Sequence, residues 1–225
     1  MESAPGFLTA LASLAFVSSI TPGPNNIMLM QSGVRFGLRR TLGHLAGVSI
    51  GFCVLLAAGA LGLGALIARW PTLQNVAAVL CAIYLLWLAA KMLNPIAAGV
   101  PDAGAAEARP MRFGEAVLFQ WINPKAWSMA VAGATLIARV ELPGAARIAM
   151  LVIVFGAVNL PCILAWAALG AQLRRHLSRP SVQIAFGLAM ASLLIVCAAW
   201  MVKPLFAGSH GPAVVGGLPA LALGR

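Results

Sequence analysis

No charged side chain occurs between Glu2 and Arg35, and five more apolar runs of comparable length follow before Lys203. A helix needs about 20 apolar residues to cross the hydrocarbon of a membrane, whereas a surface helix of a soluble protein is apolar along one stripe only. The runs fall at about 7–33, 42–68, 73–92, 114–138, 145–169 and 182–202. Composition agrees, since 61% of residues are hydrophobic and 9% charged, against roughly 45–50% and about 25% in a soluble domain. The expected fold is therefore an all-α integral membrane protein with six transmembrane helices and no room for a soluble domain. Glu2, and no basic residue, precedes the first run, so that run is read as a span and not as a cleaved signal peptide.

The formal charge of +10 would point to nucleic acid in a soluble chain. Here the basic residues punctuate apolar runs instead of lining one face, so the expected partners are lipid headgroups and no nucleic acid. Arg35, Arg39 and Arg40 fall in the first connection, Lys91, Arg109 and Arg112 in the third, and Arg174, Arg175 and Arg179 in the fifth. The opposite side carries Arg69, Arg139, Arg147, Lys203 and Arg225. The heavier side is read as cytoplasmic, which places both termini outside. Residues 94–113 read as an Ala-, Gly- and Pro-rich cytoplasmic linker, and 204–225, with its many Gly and Pro residues, as a flexible tail. Cys53, Cys81, Cys162 and Cys197 each fall within a run and share no CxxC spacing, so neither a disulfide nor a metal site is expected.

Within the first run lies SSITPGPNNIMLM. Proline lacks an amide hydrogen and clashes with the preceding turn, so Pro22 and Pro24 should break the helix. At membrane depth each freed backbone group costs several kcal/mol unless protein or trapped water satisfies it, so a break survives there only beside a cavity or a packed partner. The fourth run carries a counterpart, FQWINPKAWSMAV, in which Ile122-Asn123-Pro124 lines up with Ile20-Thr21-Pro22. With three runs in each half, the second half lies upside down relative to the first. The spans are accordingly read as two inverted three-helix repeats, 1–93 and 114–203, the first helix of each broken at proline.

TPGPNN in the first run, GVRFGLRRTLGHLAGVSIGF entering the second and NPKAW in the fourth resemble the lysine exporter and threonine/homoserine exporter (LysE/RhtB) family of amino-acid exporters. The resemblance runs from about residue 7 to 203, and TPGPNNI with AGVSIGF is most similar to the branch exporting cysteine and O-acetylserine. It implies a secondary transporter of the bacterial inner membrane that moves small amino acids or their derivatives outward by proton exchange, with both termini periplasmic.

The residues suit such a task. A zwitterion needs acceptors for its ammonium and donors for its carboxylate. Carbonyls freed by Pro22, Pro24 and Pro124 can accept from the ammonium, while amides opening the next half-helix present a positive dipole end to the carboxylate. Gly23 permits close approach of the backbone. Asn25 and Asn123 offer both donors and acceptors, and Asn26, its side chain pointing elsewhere, is read as structural. Lys125 lies about 16 Å into its span, too deep to snorkel comfortably, so it should face a cavity, pairing the substrate carboxylate or carrying the coupled proton. Thr21, Pro22, Gly23, Pro24, Asn25, Asn123, Pro124, Lys125 and Asn159 are thus the candidate substrate-binding residues, with Lys125 and His44 as candidate proton carriers. The ordinary alternatives are a lysine bonded to helix carbonyls, an interfacial histidine and an asparagine satisfied at a kink by Pro161. Gly43, Gly47 and Gly51 form a small-xxx-small face whose usual meaning is close helix packing, and Glu115 reads as a first-turn residue favoured by the dipole.

No cofactor is implied. The partners are a small-molecule substrate and membrane lipids, with self-association into a homo-oligomer left open. A membrane enzyme would need a nucleophile with its base, paired carboxylates or metal ligands, and no carboxylate lies deep in a span. The absence of a GxxxxGK[ST] loop excludes an ATP-driven pump within this chain. A passive channel, or an exporter of another small solute, is the alternative, although no ring of identical pore-lining groups is visible. Reporter fusions after Arg40 and Arg175 should behave as cytoplasmic and a fusion at the C-terminus as periplasmic; the reverse pattern would overturn the orientation.

Overall fold

The structure is a computed structural model that describes residues 4–65, 69–93, 109–138, 140–174 and 180–206. Among these residues all regular structure is helical, and no strand occurs. We number the α-helices α1 (Ala4–Ile20), α2 (Pro24–Phe36), α3 (Leu38–Ala58), α4 (Pro71–Leu93), α5 (Phe113–Ile122), α6 (Pro124–Ile137), α7 (Gly144–Leu173) and α8 (Pro180–Phe206). α3 runs on into a π-helical stretch, Gly59–Leu63, where Gly62 takes φ 105°.

α3 with that extension, α4, α7 and α8 are each long and apolar enough to cross a membrane, and α1 with α2 passes the same test as a pair bent by 53°. Only 28–44% of the most apolar window of each of the four straight spans is buried inside the protein, so most of it faces outward. Ile50, Val54, Leu80, Ile83, Leu188 and Val196 are among the large apolar side chains left exposed, a surface suited to lipid and costly in water. The chain is a multi-pass membrane protein. α5 and α6, with 10 and 14 residues, are each too short to cross alone.

Boundaries depart from the sequence reading where backbone geometry decides them. The first connection is no loop: α2 and α3 are separated by Gly37 alone, at φ 78° and ψ 165°, a conformation open to glycine and rarely adopted by other residues. At the other end α8 continues through Pro204 to Phe206, because a proline so near a helix end removes one ladder bond and leaves the last turn otherwise closed. The rest of the expected tail, 207–225, and residues 94–108 of the expected linker lie outside the described residues.

Three apolar clusters hold the helices together. One joins α1, α3, α6 and α7 through Leu11, Phe52, Leu55, Ala130, Leu151 and Phe155. A second joins α2, α4, α5 and α8 through Ile27, Leu85, Phe119 and Leu194. The third, between them, is smaller and contains Leu29, Val48, Ala116, Ile163 and Ala167. Lipid tails are as apolar as leucine, so close packing, more than exclusion of water, must hold such contacts. The most extensive interfaces are α4 with α8, α2 with α7 and α3 with α5.

Glycines set how near two of these pairs approach. Gly33 of α2 lies against the Ala167 carbonyl of α7, and Gly170 of α7 against the Met30 carbonyl of α2, so an added Cβ at either would meet rigid backbone. Gly47 and Gly51 of α3 similarly seat Phe113, Ala116, Val117 and Gln120 of α5, whereas Gly43 has nothing within 4 Å. The packing face thus comprises two of its three glycines. Alanine at Gly33 or Gly170 should lower stability by about 1–3 kcal/mol, the usual cost of overpacking, while Gly43→Ala, whose Cβ meets no neighbour, should fall short of that loss. Thermal unfolding of the three variants in detergent checks the contrast, and equal losses at all three would refute the packing assignment.

Candidate functional site

Helix α1 stops at Ile20 because Pro22 and Pro24 cannot supply the amides that would continue it. A helix end leaves its last carbonyls without partners, and here each one in the break finds a side chain or a returning amide. Thr21 Oγ1 donates to the Ser18 carbonyl at 3.1 Å. Asn26 Nδ2 donates to Ser19 and Thr21 at 2.8 and 2.9 Å. The Trp166 indole, from α7, donates to Ile20 at 3.2 Å, and the Ile27 amide closes onto Gly23 at 3.0 Å. Lys125, from α6, supplies the remainder: its Nζ donates to the Thr21 carbonyl at 2.8 Å, to Thr21 Oγ1 at 2.9 Å and to the Pro22 carbonyl at 3.3 Å. The negative dipole end of α1 favours a cation at this place.

The second break is tighter. Asn123, 1% exposed, is both the residue after α5 and the N-cap of α6, and its Oδ1 accepts the Lys125 amide at 3.1 Å. Trp127 turns its indole back to the Trp121 carbonyl at 2.9 Å. Each break therefore has a tryptophan N–H on a freed carbonyl. Both second half-helices open with proline in the first turn, Pro24 after Gly23 and Pro124 after Asn123, where its missing amide costs nothing. This equivalence lies two residues later in the first half than the sequence match of Ile20-Thr21-Pro22 with Ile122-Asn123-Pro124. It makes Asn25 and Lys125 counterparts. Lys125 of α6 reaches the end of α1, and Asn25 of α2 reaches α5, where it exchanges hydrogen bonds with Gln120: Asn25 Nδ2 to Oε1 at 2.8 Å and Gln120 Nε2 to Oδ1 at 3.3 Å.

A cavity of about 20 Å³ lies between the breaks, lined by Ser18, Ser19, Asn25, Asn123, Lys125 and Asn159 among others, with Phe52, Met129 and Ile163 as its apolar walls. That volume accommodates about one water. Asn159 Nδ2 donates to Ser19 Oγ at 3.1 Å, while its buried Oδ1 has no partner; α7 runs unbroken past Pro161 to place it there.

Of the residues singled out in the sequence, Gly23, Pro24, Asn25, Asn123, Lys125 and Asn159 line this cavity, Thr21 and Pro22 hold the lysine, and Pro124 starts the half-helix that carries it. His44 is not among them. It lines a wider cavity of about 460 Å³ with Gln31, Arg35, Tyr84, Lys91, Arg109 and Glu115, where neither ring nitrogen has a hydrogen-bond partner. Glu115 there receives two hydrogen bonds from Arg109, at 2.8 and 2.6 Å, and one from the Arg112 amide at 2.8 Å, so it acts as first-turn cap and ion-pair partner together. Asn25 lines the first cavity and not the second, and Gln120 lines neither. Among the described residues no group of three or more His, Cys, Asp or Glu side chains is gathered at any point, and all four cysteines are free thiols.

Sequence reasoning missed Gln120, Ser19 and Trp166. For Gln120 the signal was present: a neutral amide three positions before Asn123, inside an apolar run, is as anomalous as the asparagines. The indole of Trp166 gave no such signal, since a tryptophan near lipid is ordinary.

The LysE type translocator family profile matches residues 16–203, and the chain belongs to that family of translocators; it is not an enzyme. It is 29% identical over 200 residues to the cysteine/O-acetylserine efflux protein of Klebsiella pneumoniae subsp. pneumoniae, covering 86% of this chain and 96% of that one. The protein of the same description from Escherichia coli O139:H28 is 29% identical over 202 residues, with the same coverage. The leucine efflux protein of Klebsiella pneumoniae is 36% identical over 123 residues, 53% of this chain and 57% of that one. No solved structure matches the chain.

The carbonyl accounting assigns Asn26 a cost. Asn26→Ala strips the Ser19 carbonyl of its side-chain partner and Thr21 of one of two, so stability should fall by about 1–3 kcal/mol, the penalty for a buried acceptor left unmade. Chemical unfolding in detergent measures it, and an Asn26→Ala protein as stable as the parent would contradict the accounting.

Proposed function

We propose that this translocator exports small amino acids or amino-acid derivatives across the bacterial inner membrane as a secondary transporter, exchanging substrate for protons. The observation that carries the reading is the meeting of two helix breaks beside one polar-lined cavity; the Lys125 bonds to the Thr21 and Pro22 carbonyls are ones a purely structural lysine would also make. Such a place offers what a zwitterion needs: oxygen acceptors at the end of α1, the amide donors of Asn25 and Gln120, and a positive charge for the carboxylate. Cysteine, O-acetylserine and leucine, for whose efflux the relatives are named, have the α-amino acid head group in common, and the breaks would recognise that part. Phe52, Met129 and Ile163 are apolar walls against which a small side chain would rest.

The spans are read as two inverted three-helix repeats, 1–93 and 114–203, and the helix contacts support this. An exchange of halves equates α1 with α5, α2 with α6, α3 with α7 and α4 with α8. Under it the pairs α4–α8 and α3–α7 map onto themselves and α3–α5 maps onto α7–α1, all extensive interfaces, whereas α2–α7 maps onto the much smaller α6–α3. α5 and α6 then form the second broken span. Both termini are periplasmic on this reading, and the wider cavity, beside Arg35, Lys91 and Arg109, faces the cytoplasm as an entrance. His44 would act there as a proton carrier, apart from the substrate. The space between the breaks holds about one water, less than an amino acid needs, so its walls must move apart to admit substrate.

Liposomes containing the purified protein, an imposed pH gradient and labelled neutral amino acids test the proposal. Gradient-driven flux is expected, and flux that persists unchanged without any ion gradient would favour a channel. Lys125→Met, which keeps most of the stem and removes the charge, should abolish flux in a folded protein. Lys125→Arg keeps a charge that is not released, so substrate binding should survive while proton coupling is lost. Undiminished gradient-driven transport by Lys125→Met would remove Lys125 from the mechanism.

A further inference from the structure

An alkylammonium has three hydrogens to donate, and Lys125 Nζ places them on three oxygens at 2.8, 2.9 and 3.3 Å, two from Thr21 and one from the Pro22 carbonyl. The other carbonyls of the break are already taken by Thr21 Oγ1, Asn26, Trp166 and the Ile27 amide. The oxygens that suit a primary ammonium are therefore all in use by a group of the protein itself.

Gly23 points the same way. Its φ of −171° and ψ of 175° are extended backbone that any residue adopts, so glycine is not required there for conformation. What an added Cβ would meet is Lys125: Cδ at 2.7 Å and Nζ at 2.8 Å. The missing side chain leaves room for the lysine to lie across the break. Its counterpart on α2, Asn25, is a neutral amide paired with another amide, so only one of the two crossings holds a cation.

We propose that the Thr21–Pro22 oxygens form a primary-ammonium site which Lys125 fills in this structure, so that the substrate's amine and the lysine compete for one place. This rests on the amino-acid reading above. A substrate amine entering the site displaces the lysine, and the released ammonium is then at hand for the substrate's carboxylate. One cation sits on the broken end of α1 before and after the exchange, so the freed carbonyls are never left bare. A solute without an N–H-bearing cation cannot drive the displacement.

The test uses the full-length protein in detergent and reads thermal unfolding, so it is independent of transport. Propylammonium chloride is the probe, tetramethylammonium chloride, a cation that donates no hydrogen bond, is the control, and sodium propionate tests for a carboxylate effect. Lys125→Ala empties the site and should show a saturable rise in unfolding temperature with propylammonium alone. Gly23→Ala pushes the lysine aside without removing its charge, in a backbone conformation alanine accepts, and should respond in the same sense but less. The parent protein should respond to none of the three salts. A Lys125→Ala protein indifferent to propylammonium, or a parent that responds as strongly as the variant, would overturn the proposal; should Lys125→Ala not fold, an indifferent Gly23→Ala would do so. A failed exporter assay with an intact propylammonium response would instead count against the transport reading alone.

Discussion

Peptide groups released inside hydrocarbon have no water to turn to, and the arrangement of this protein follows from meeting that demand at one point. The end of α1 draws a side chain from each of three other helices: Asn26 from α2, Lys125 from α6 and Trp166 from α7. Of those helices α6 and α7 already share an apolar cluster with α1, and Asn26 adds α2, which belongs to the other two. The break is thus the place where the two halves of the chain are joined by polar contacts, and the same polarity makes it a place where a polar solute can lie.

Beside this polar junction the protein is packed by its smallest residues. Gly33 and Gly170 bring α2 and α7 together, and Gly47 and Gly51 do so for α3 and α5. Contacts of that kind, backbone against backbone, have little freedom to deform.

Much of this was legible in the chain. Apolar runs announced the helices, and Pro22, Pro24 and Pro124 announced the breaks, because proline acts through its own backbone and needs no partner to be read. Lys125 was conspicuous for a related reason, a charge where charge is costly. What could not be read was pairing. That the lysine would lie on Thr21, a hundred residues away in sequence, and that Asn25 would find Gln120, depends on how α1, α2, α5 and α6 cross. His44 was read apart from the substrate residues, as a candidate proton carrier, and it lines the wider cavity beside Arg35, Lys91 and Arg109. The corner at Gly37 was hidden because the arginines around it resemble a loop; the glycine's positive φ turns the chain in one residue, where a loop was read.

That corner has a bearing on distance. With no spare residue between α2 and α3, the 13 residues of α2 act as a ruler of about 20 Å between the arginine-bearing edge and the first break. Measured from the same edge, the 10 residues of α5 put the second break at about 15 Å. The two lengths are near enough for one lysine side chain to bridge the difference. An inserted residue in α2 would lengthen the ruler by about 1.5 Å and turn Asn25 by about 100° relative to the corner, so the two graduations would no longer meet.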